Sequence, residues 1–346
     1  MSVQSTRGAT LLSGIQLTGR FAWNRSLTSV ARRFTREETA ANVTALSEAR
    51  RAAASEVIRA QADLAFEYIT DGGVGFLDLF SPYVGSVAGV KAGGNIDKYP
   101  GTRNSYYHTP LVEGRIKAEG HTVDGFLYTS EFPAGTKKKA ILPSPVAFAL
   151  ACENTFYSNL EDLVRDFSEV LRGDVKTLSS NGYDYIQLTE CFLPNPRFSG
   201  RASKRIAESL VECLNAIFEG FRGRSALYLH SGDASGLLPG ILESEVTDVG
   251  FDFNTGLDSL RGVTIEKNLL LGLQNTTRKL PKELVEREPE VLAARVREGA
   301  AGLDVSGEAE IFLCPSQDFD GVQTYSQAIA RLESLSAAFT KARSAK

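Results

Sequence analysis

The sequence is poor in cysteine, lacks a long apolar run and has no excess of basic residues. Its 346 residues include four cysteines, too few for a disulfide-stapled scaffold of this length, so a reducing cytoplasm is the expected location. No stretch approaches the roughly 18 consecutive apolar residues of a membrane span. The formal net charge of −4 argues against a nucleic-acid partner, which would require a clustered basic surface.

Several sequence signatures are absent as well. Residues 1–14 lack the basic segment, the apolar segment and the cleavage site of a secretory signal. No glycine-rich nucleotide motif, P-loop or GxSxG elbow is present, which disfavours nucleotide-binding folds and α/β-hydrolases. The composition is that of an ordinary globular enzyme, for which a small molecule is the expected partner.

What the sequence does contain is an alternation of strand and helix patterns. Short apolar runs typical of buried strands alternate with amphipathic stretches, and each predicted strand ends in polar residues. Parallel βα units produce this pattern, so the sequence predicts an α/β fold, a (β/α)8 TIM barrel, as one domain over residues 1–346. A β-hairpin insertion is predicted near 108–130, and one long helix over 35–69.

The polar residues that follow the predicted strands are the candidate site residues. In a (β/α)8 barrel, catalytic groups come from the carboxyl ends of several strands, which meet at one face. The groups in question are Asp71, Thr189 with Glu190, His230, Asn254, Asn275 and the stretch 314–318.

Four segments carry a resemblance to a known family. They are ITDGGVGFLDLF at 69–80, NSYYHTPLVEGRI at 104–116, AILPSPVAFAL at 140–150 and NGYDYIQLTE at 181–190. In the same order, they resemble segments of the C-terminal barrel of cobalamin-independent methionine synthases, within the larger group that includes the uroporphyrinogen decarboxylases. The resemblance covers most of residues 60–320 and implies a TIM barrel of that type.

The resemblance implies a zinc site whose ligands are only partly retained. Family members hold Zn²⁺ through a His-x-Cys pair, a Glu and a second Cys, and the metal activates a thiol for methyl transfer. Here the histidine is His230, but Gly232 and Gln317 stand where the two cysteines are expected. One alternative is a rebuilt site of His230, Asp252 and Cys314. The other is that His230 is a pocket residue and Cys314 a buried apolar side chain.

The resemblance also implies the catalytic residues. The family holds the ammonium of its amino-acid substrate with two carboxylates, whose positions here are Gly73 and Thr189, so we do not expect ordinary homocysteine methylation. Glu190 matches a family glutamate and, with His230, is a predicted catalytic residue. The alternative for Glu190 is an ion pair with a basic neighbour. The implied methyl donor is a methyl-folate or a methyl-cobamide.

Eight residues are predicted to bind the substrate. Asp71 precedes two glycines that let a ligand approach the backbone, although it could equally cap a helix. Flat rings could stack on the aromatic side chains of the set, whose alternative role is packing. The eight are Ser13, Trp23, Asp71, Asn104, Tyr106, Thr189, Asn275 and Gln317.

Three functions remain open at this point. The first is a methyltransferase that moves a methyl or related one-carbon group to a thiol or another nucleophile. The second is a non-catalytic paralogue that binds a small molecule or a partner. The third is a metal-free lyase or decarboxylase on the same barrel, with Arg103, Arg197 and Arg278 as anion-binding candidates. A homodimer or a second protein subunit is left open.

Overall fold

The computed structural model describes residues 12–102, 105–118, 122–199, 204–255, 262–302, 304–305, 308–319 and 323–344. The strands in these ranges are β1 (Leu12–Ile15), β2 (Val87–Lys98), β3 (Tyr106–Ala118), β4 (Lys138–Pro143), β5 (Glu153–Asn154), β6 (Tyr183–Glu190), β7 (Arg224–Leu229), β8 (Asp248–Asp252), β9 (Thr264–Ile265), β10 (Asn268–Gln274), β11 (Asp304–Val305) and β12 (Ile311–Pro315). The helices are α1 (Arg25–Arg36), α2 (Ala40–Asp63), α3 (Pro145–Ala151), α4 (Leu160–Ser180), α5 (Pro196–Ser199), α6 (Lys204–Phe218), α7 (Leu238–Glu243), α8 (Lys282–Gly302) and α9 (Tyr325–Ser344).

A curled parallel sheet of seven strands forms the centre of the fold. Its strand order is β1, β12, β10, β8, β7, β6, β4, and every neighbouring pair is parallel. The two edge strands are linked through residues 68–69, because Tyr68 makes a parallel bridge to Gln16 and Ile69 makes one to Lys138. The α/β prediction is confirmed. A (β/α)8 barrel has eight strands, and seven of them form in the described part of the chain. At the place of the eighth, residues 68–69 make only single bridges.

The predicted hairpin lies earlier in the chain than expected. β2 and β3 pair antiparallel and β5 adds to β3 in parallel, so the insertion spans 87–118 rather than 108–130. The second half of β2 is polar, contains glycine and is mostly exposed, which is why it reads as a loop in the sequence. At the bulge, a Cβ on Gly89 would lie 2.5 Å from the Gly114 carbonyl oxygen, so the close approach of the strands requires glycine there.

The long helix predicted over 35–69 is shorter than expected and is preceded by another helix. Residues 37–39 separate α1 from α2, and the Thr39 side chain caps α2 by accepting a hydrogen bond from the Asn42 backbone N–H at 3.2 Å. α1 was missed, although Leu27, Val30, Ala31 and Phe34 follow the i, i+3, i+4, i+7 spacing of an apolar helix face and pack on the core.

Two clusters of buried apolar side chains form the core. The larger one lies between the sheet and the surrounding helices. The smaller one fills the inside of the curl, because side chains of non-adjacent strands meet there, as the Tyr68 and Phe312 rings do at 6.3 Å. Its members are Tyr68, Tyr185, Ala226, Tyr228, Leu270, Phe312 and Cys314. Among the helices described, none combines the length and apolar character needed to cross a lipid bilayer.

Candidate active site

The carboxyl ends of the sheet strands surround a narrow cleft. Its walls come from residues that follow β1, β6, β7, β10 and β12, together with the loops that flank β2. Most of the polar side chains are hydroxyls and amides rather than carboxylates. The lining residues are Arg20, Leu79, Tyr99, Thr102, Ser105, Ile141, Thr189, Cys191, His230, Thr276, Thr277, Gln317 and Asp318.

His230 follows β7 directly and lines this cleft. Its Nδ1 atom lies 2.8 Å from the Ser231 hydroxyl oxygen, and its backbone N–H donates to the Glu190 carbonyl oxygen at 3.1 Å. Burial lowers the pKa of the imidazole, an effect that the carboxylates Asp318 and Asp252 partly oppose. Because Ser231 engages Nδ1, Nε2 is the ring nitrogen left to meet a ligand.

Ser231 holds an unusual backbone conformation beside the imidazole. Its φ of +73° lies in the left-handed region, which costs a residue other than glycine about 1–2 kcal/mol. The Asn195 side-chain amide donates to the Ser231 carbonyl oxygen at 2.8 Å and holds the peptide in place. Backbone strain of this kind concentrates at functional sites, where it fixes a side chain in one position.

A hydrogen-bonded carboxylate lies near His230. Asp252, the last residue of β8, accepts hydrogen bonds on Oδ1 from the backbone N–H and the side-chain amide of Asn254, both at 2.9 Å. Its Oδ2 accepts from the Gln317 Nε2 atom at 3.1 Å. Gln317 follows β12, so this bond joins the ends of two strands that are separated by β10 in the sheet.

A partly buried ion pair also lines the cleft. The Arg20 Nε and Nη2 atoms each lie 3.2 Å from Asp318 Oδ2, and the Arg20 backbone N–H donates to Oδ1 at 2.7 Å. Gly19 permits this approach, since a Cβ there would lie 2.2 Å from Asp318 Oδ1. The sequence drew attention to 314–318 but not to Arg20. A barrel places its first and last strands side by side, and that adjacency is the signal that could have found the pair.

Comparisons with known proteins bear on this geometry. No protein-family model matches the chain. A methionine synthase from Pyrococcus furiosus is 22% identical over 207 residues, which make up 60% of this chain and 58% of that protein. The match therefore covers less than two thirds of that relative.

Solved structures share the fold. A B12-independent methionine synthase from Shewanella sp. W3-18-1, in complex with selenomethionine, has a TM-score of 0.67 and 17% identity, over 86% of this chain and 89% of that one. A Listeria monocytogenes protein assigned as a vitamin-B12-independent methionine synthase has a TM-score of 0.69 and 12% identity, over 97% and 99%. A methyltransferase from Methanosarcina mazei has a TM-score of 0.55 and 11% identity, over 94% of both chains. The resemblance to the cobalamin-independent methionine synthases is confirmed.

Within this methionine synthase-like fold, Glu190 supports the backbone rather than facing the cleft. Its Oε1 accepts hydrogen bonds from the backbone N–H groups of Phe192 and Leu193, at 2.8 and 3.0 Å, and its Oε2 accepts from the Ser144 hydroxyl. Burial raises the pKa of the carboxyl, against the opposing effect of these hydrogen bonds. The geometry fits a positioning role, in which Glu190 fixes the loop after β6 and the backbone of His230, better than the predicted catalytic role.

Asp71 is used in a similar way. Its carboxylate accepts hydrogen bonds from the backbone N–H groups of Gly73 and Tyr128, at 2.9 and 3.0 Å, and burial raises its pKa. The residue is not part of the cleft lining, so the structure assigns it to loop geometry rather than to substrate binding. No helix begins directly after it either, and the predicted helix cap is replaced by a turn.

Two of the predicted substrate-binding residues line the cleft and a third orients a lining residue. Thr189 and Gln317 are in the lining. The Asn275 Oδ1 atom accepts hydrogen bonds from the backbone N–H and the hydroxyl of Thr277, at 3.0 and 2.8 Å, and Thr277 is itself in the lining. Thr276 and Thr277 were missed, although they directly follow a predicted strand.

The other predicted substrate-binding residues lie elsewhere. Ser13 is within β1 rather than at its carboxyl end. Trp23 lines a separate groove beside the arginines of α1, and Tyr106 begins β3 with about half of its surface exposed (53%). Asn104 lies outside the described residues. Aromatic side chains are common in packed loops, so their presence near a predicted strand end is a weak signal.

The residues expected for a zinc site do not fit the metal. No three histidine, cysteine, aspartate or glutamate side chains within the described ranges form a group that could hold a metal ion. Cys314 lies in the cluster inside the sheet, where its thiol donates to the Phe312 carbonyl oxygen at 3.5 Å and burial raises its pKa to about 12. The predicted set of His230, Asp252 and Cys314 is therefore not assembled, and Cys314 behaves as a buried apolar side chain.

Proposed function

We propose that the chain is a methyltransferase-like enzyme that moves a methyl or related one-carbon group to a thiol or another nucleophile of a small molecule bound in the cleft. The names of the similar proteins support this class, since they are methionine synthases and a methyltransferase. The observation that carries the proposal is His230, a buried imidazole directly after β7 whose side chain lines the cleft at the carboxyl ends of the strands.

In the proposed reaction, His230 accepts the proton of the acceptor group. The lone pair of the acceptor forms a bond to the methyl carbon, the bond between that carbon and the donor breaks, and its electron pair stays with the donor. Burial lowers the pKa of His230, so the imidazole is neutral and can take the proton at neutral pH. Ser231 fixes the ring through Nδ1. A methyl-folate or a methyl-cobamide is the donor class that the resemblance implies.

An α-amino acid is not the expected acceptor. The positions that correspond to the ammonium-binding carboxylates are Gly73 and Thr189, and neither residue carries a charge. Arg20 packs against the first of them, because a Cβ on Gly73 would lie 3.0 Å from the Arg20 Cγ atom. The aliphatic part of Arg20 therefore packs at this place, and Asp318, the carboxylate of the described cleft lining, is already paired with Arg20.

The test is a matrix of methyl donors and acceptors. The purified chain is incubated with a methyl-folate or a methyl-cobamide and with thiol, amine and hydroxyl acceptors, and methylated products are identified by mass spectrometry. His230→Ala should lower the rate by about 10²–10⁴-fold, the usual contribution of general acid–base catalysis. His108→Ala is the matched control, since His108 bonds to Asp78 outside the cleft lining. Turnover that His230→Ala leaves intact would contradict the proposed role.

The same proposal includes a complete barrel, a single domain and a cytoplasmic location of the protein. We propose that the curled sheet is a (β/α)8 barrel in which residues 68–69 take the place of the eighth strand, within one domain. The four cysteines are unpaired thiols, which supports a reducing, cytoplasmic location. A homodimer or a second subunit stays a prediction, and light scattering on the purified chain tests it.

A binding protein without catalysis is the second candidate. It is favoured by the use of Glu190 and Asp71 in backbone hydrogen bonds, which leaves Asp318, already paired with Arg20, as the carboxylate in the described cleft lining. Ligand binding without turnover in any donor and acceptor pair, together with a cellular phenotype that His230→Ala does not change, would favour this candidate.

The decarboxylase hypothesis has less support. Arg197 and Arg278, its predicted anion-binding residues, do not line the cleft, and Arg103 lies outside the described residues. The arginine that does line the cleft is Arg20, whose charge Asp318 balances. A scan of carboxylated substrates for CO₂ release tests the hypothesis directly.

A further inference from the structure

Gly232, two residues after His230, lies at a position that is closed to any side chain. A Cβ there would lie 2.0 Å from the Pro194 carbonyl oxygen and 2.9 Å from the Asn195 Cα atom. The same loop is tied to the end of β7, because the Asn195 side chain donates to the Ser231 carbonyl oxygen at 2.8 Å. A metal-binding side chain at 232 would therefore require the whole loop between β6 and α5 to move.

Gln317, which stands where the resemblance implies a second cysteine, is held in one orientation. Its amide faces Asp252, and a carboxylate only accepts hydrogen bonds, so the atom at 3.1 Å from Asp252 Oδ2 must be Nε2. The Gln317 Oε1 atom then points the other way. It is buried and has no hydrogen-bond partner among the described residues, and Gln317 lines the cleft.

Both oxygens of Asp252 accept hydrogen bonds from uncharged donors. Its Oδ1 accepts two hydrogen bonds from Asn254, and its Oδ2 accepts the one from Gln317. A cation would have to compete with these N–H donors for Oδ1, while Oδ2 keeps one further lone pair. The groups at this point of the cleft for which the described residues supply no hydrogen-bond partner are the His230 Nε2 atom and the buried Gln317 Oε1 atom.

We propose that His230 and Gln317 form a metal-free receptor for a neutral substrate group that carries an N–H or O–H donor, such as a hydroxyl or an amide. The donor satisfies Gln317 Oε1, which is otherwise a buried acceptor without a partner. A thiolate or a carboxylate has no hydrogen-bond donor, so it would leave Gln317 Oε1 without a partner and is not expected to bind. The inference rests on the proposed function for its choice of cleft, and it adds the substrate class and the absence of a metal.

The first experiment measures binding of matched neutral fragments by ligand-observed NMR on the full chain. Each pair consists of an alcohol or a primary amide and its methyl ether or dimethylamide. We expect the donor-bearing member to bind about tenfold more tightly, and Gln317→Leu to abolish this preference. Equal binding of the two members to the wild-type chain would overturn the proposal. A preference that survives in Gln317→Leu would do the same.

Matched variants keep this result interpretable. Gln327→Leu removes a glutamine amide from α9, away from the cleft lining, and should leave the preference unchanged. Thermal unfolding of each variant establishes that the chain is folded before fragments are added. If Gln317→Leu does not fold, Gln317→Glu is used instead. At a pH where this carboxyl is protonated, its O–H replaces the amide N–H toward Asp252 and its carbonyl oxygen remains an acceptor for the ligand. The variant should then keep the preference for donor-bearing fragments. Loss of that preference in folded Gln317→Glu would count against the proposal.

The second experiment uses Zn²⁺ alone as the probe. The chain is purified without a chelator or a metal-binding tag, its zinc content is measured, and Zn²⁺ is titrated into it by calorimetry. We expect no stoichiometric zinc in either measurement. Stoichiometric zinc that His230→Ala or Gln317→Leu removes would overturn the metal-free site.

The outcome is separable from that of the proposed function. Fragment discrimination that depends on Gln317, without methyl transfer from any donor, would leave this inference standing and remove the proposed activity. Methyl transfer by a chain that holds zinc through His230 would do the opposite.

Discussion

Buried polar side chains at the two ends of the sheet differ in how completely they are hydrogen-bonded. At the amino end, Arg224 donates to both oxygens of Asp248, at 3.1 and 2.6 Å, and also contacts Glu310. Toward the carboxyl end, glutamine side chains keep one amide atom each without a hydrogen-bond partner among the described residues. These atoms are Gln16 Nε2, Gln187 Oε1, Gln274 Oε1 and Gln317 Oε1.

The contrast separates residues that hold the fold from residues that are available to a ligand. Burial penalises a polar group equally at both ends, so a group that is left without a partner needs water or substrate. At the amino end, the protein itself supplies the partners of the Asp248 carboxylate. The distinction predicts that substitutions at the amino end act on stability, and that those at the carboxyl end act mainly on binding.

The largest effect is expected from breaking the amino-end ion pair. Arg224→Ala leaves the Asp248 carboxylate buried without its cation, which costs about 3–5 kcal/mol of unfolding free energy. Urea unfolding followed by circular dichroism measures this loss. The double variant Arg224→Met, Asp248→Leu should recover most of it, because it removes both charges. A loss below about 1 kcal/mol, the value of an exposed pair, would show that the pair does not hold the fold.

A smaller effect on stability is expected at the carboxyl end, at Gly232. Gly232→Ala places a methyl group against the Pro194 carbonyl oxygen, and overpacking of this kind costs about 1–3 kcal/mol. Gly236→Ala is the matched control, since a Cβ at Gly236 meets no atom within 4 Å. Equal stability of the two variants would mean that the loop after β6 yields easily, and would weaken the case against a ligand side chain at 232.

Lys139 is expected to make the unfolding free energy depend on pH. This buried lysine donates to Gln16 Oε1 at 2.9 Å, and burial lowers its pKa to about 7, against 10.5 for a free lysine. Between these two values the unfolded chain binds more protons than the folded one, so the unfolding free energy rises with pH, by at most about 1.4 kcal/mol per pH unit. Below about pH 7 this contribution to the slope disappears, because the lysine is charged in both states.

Lys139→Met should remove this slope. Unfolding free energies of the wild-type chain and the variant are compared at pH values from 7 to 10, where contributions of other groups cancel in the difference. Lys138→Met, on the opposite face of β4, is the control and should keep the wild-type slope. If the difference in unfolding free energy between the wild-type chain and Lys139→Met does not change with pH, Lys139 is charged in the folded chain.

The smallest effect is expected at Ser231, whose backbone is left-handed. Ser231→Gly and Ser231→Ala both remove the hydroxyl that engages His230 Nδ1, but only glycine relieves the strain. The glycine variant should therefore be more stable than the alanine variant by about 1 kcal/mol. Both variants should lose activity to a similar degree, which places the serine's role in orienting His230. Full activity in Ser231→Gly would contradict that role.

Much of the fold could be predicted because the sheet strands contain short apolar runs. The runs that became β6, β7 and β10 are buried along their length, and such runs followed by polar residues indicate parallel strands. β2 could not be predicted in the same way, since its polar half is stabilised by pairing with β3 rather than by burial. The strand-like pairing of residues 68–69 could not be predicted either, because two residues are too few to show an alternating apolar pattern.

The site was harder to predict than the fold. His230 and Gln317 could be placed at strand ends, and both line the cleft. The sequence could not show that the Glu190 carboxylate turns back to its own loop, because a strand-end glutamate looks the same whether it faces a ligand or a backbone N–H. Arg20 was missed because its partner Asp318 is almost the whole chain away, and only the sheet order brings them together.

The short link at 68–69 bears on where the sheet opens locally. It joins the two edge strands by hydrogen bonds from Glu67 N–H to Ile15, from Ile69 N–H to Lys137 and from Lys139 N–H to Ile69, at 3.3, 2.9 and 2.8 Å. Local opening begins where the fewest bonds must break, and this link has few of them. Backbone hydrogen exchange should therefore be faster at this seam than in the long strand ladders on either side of it.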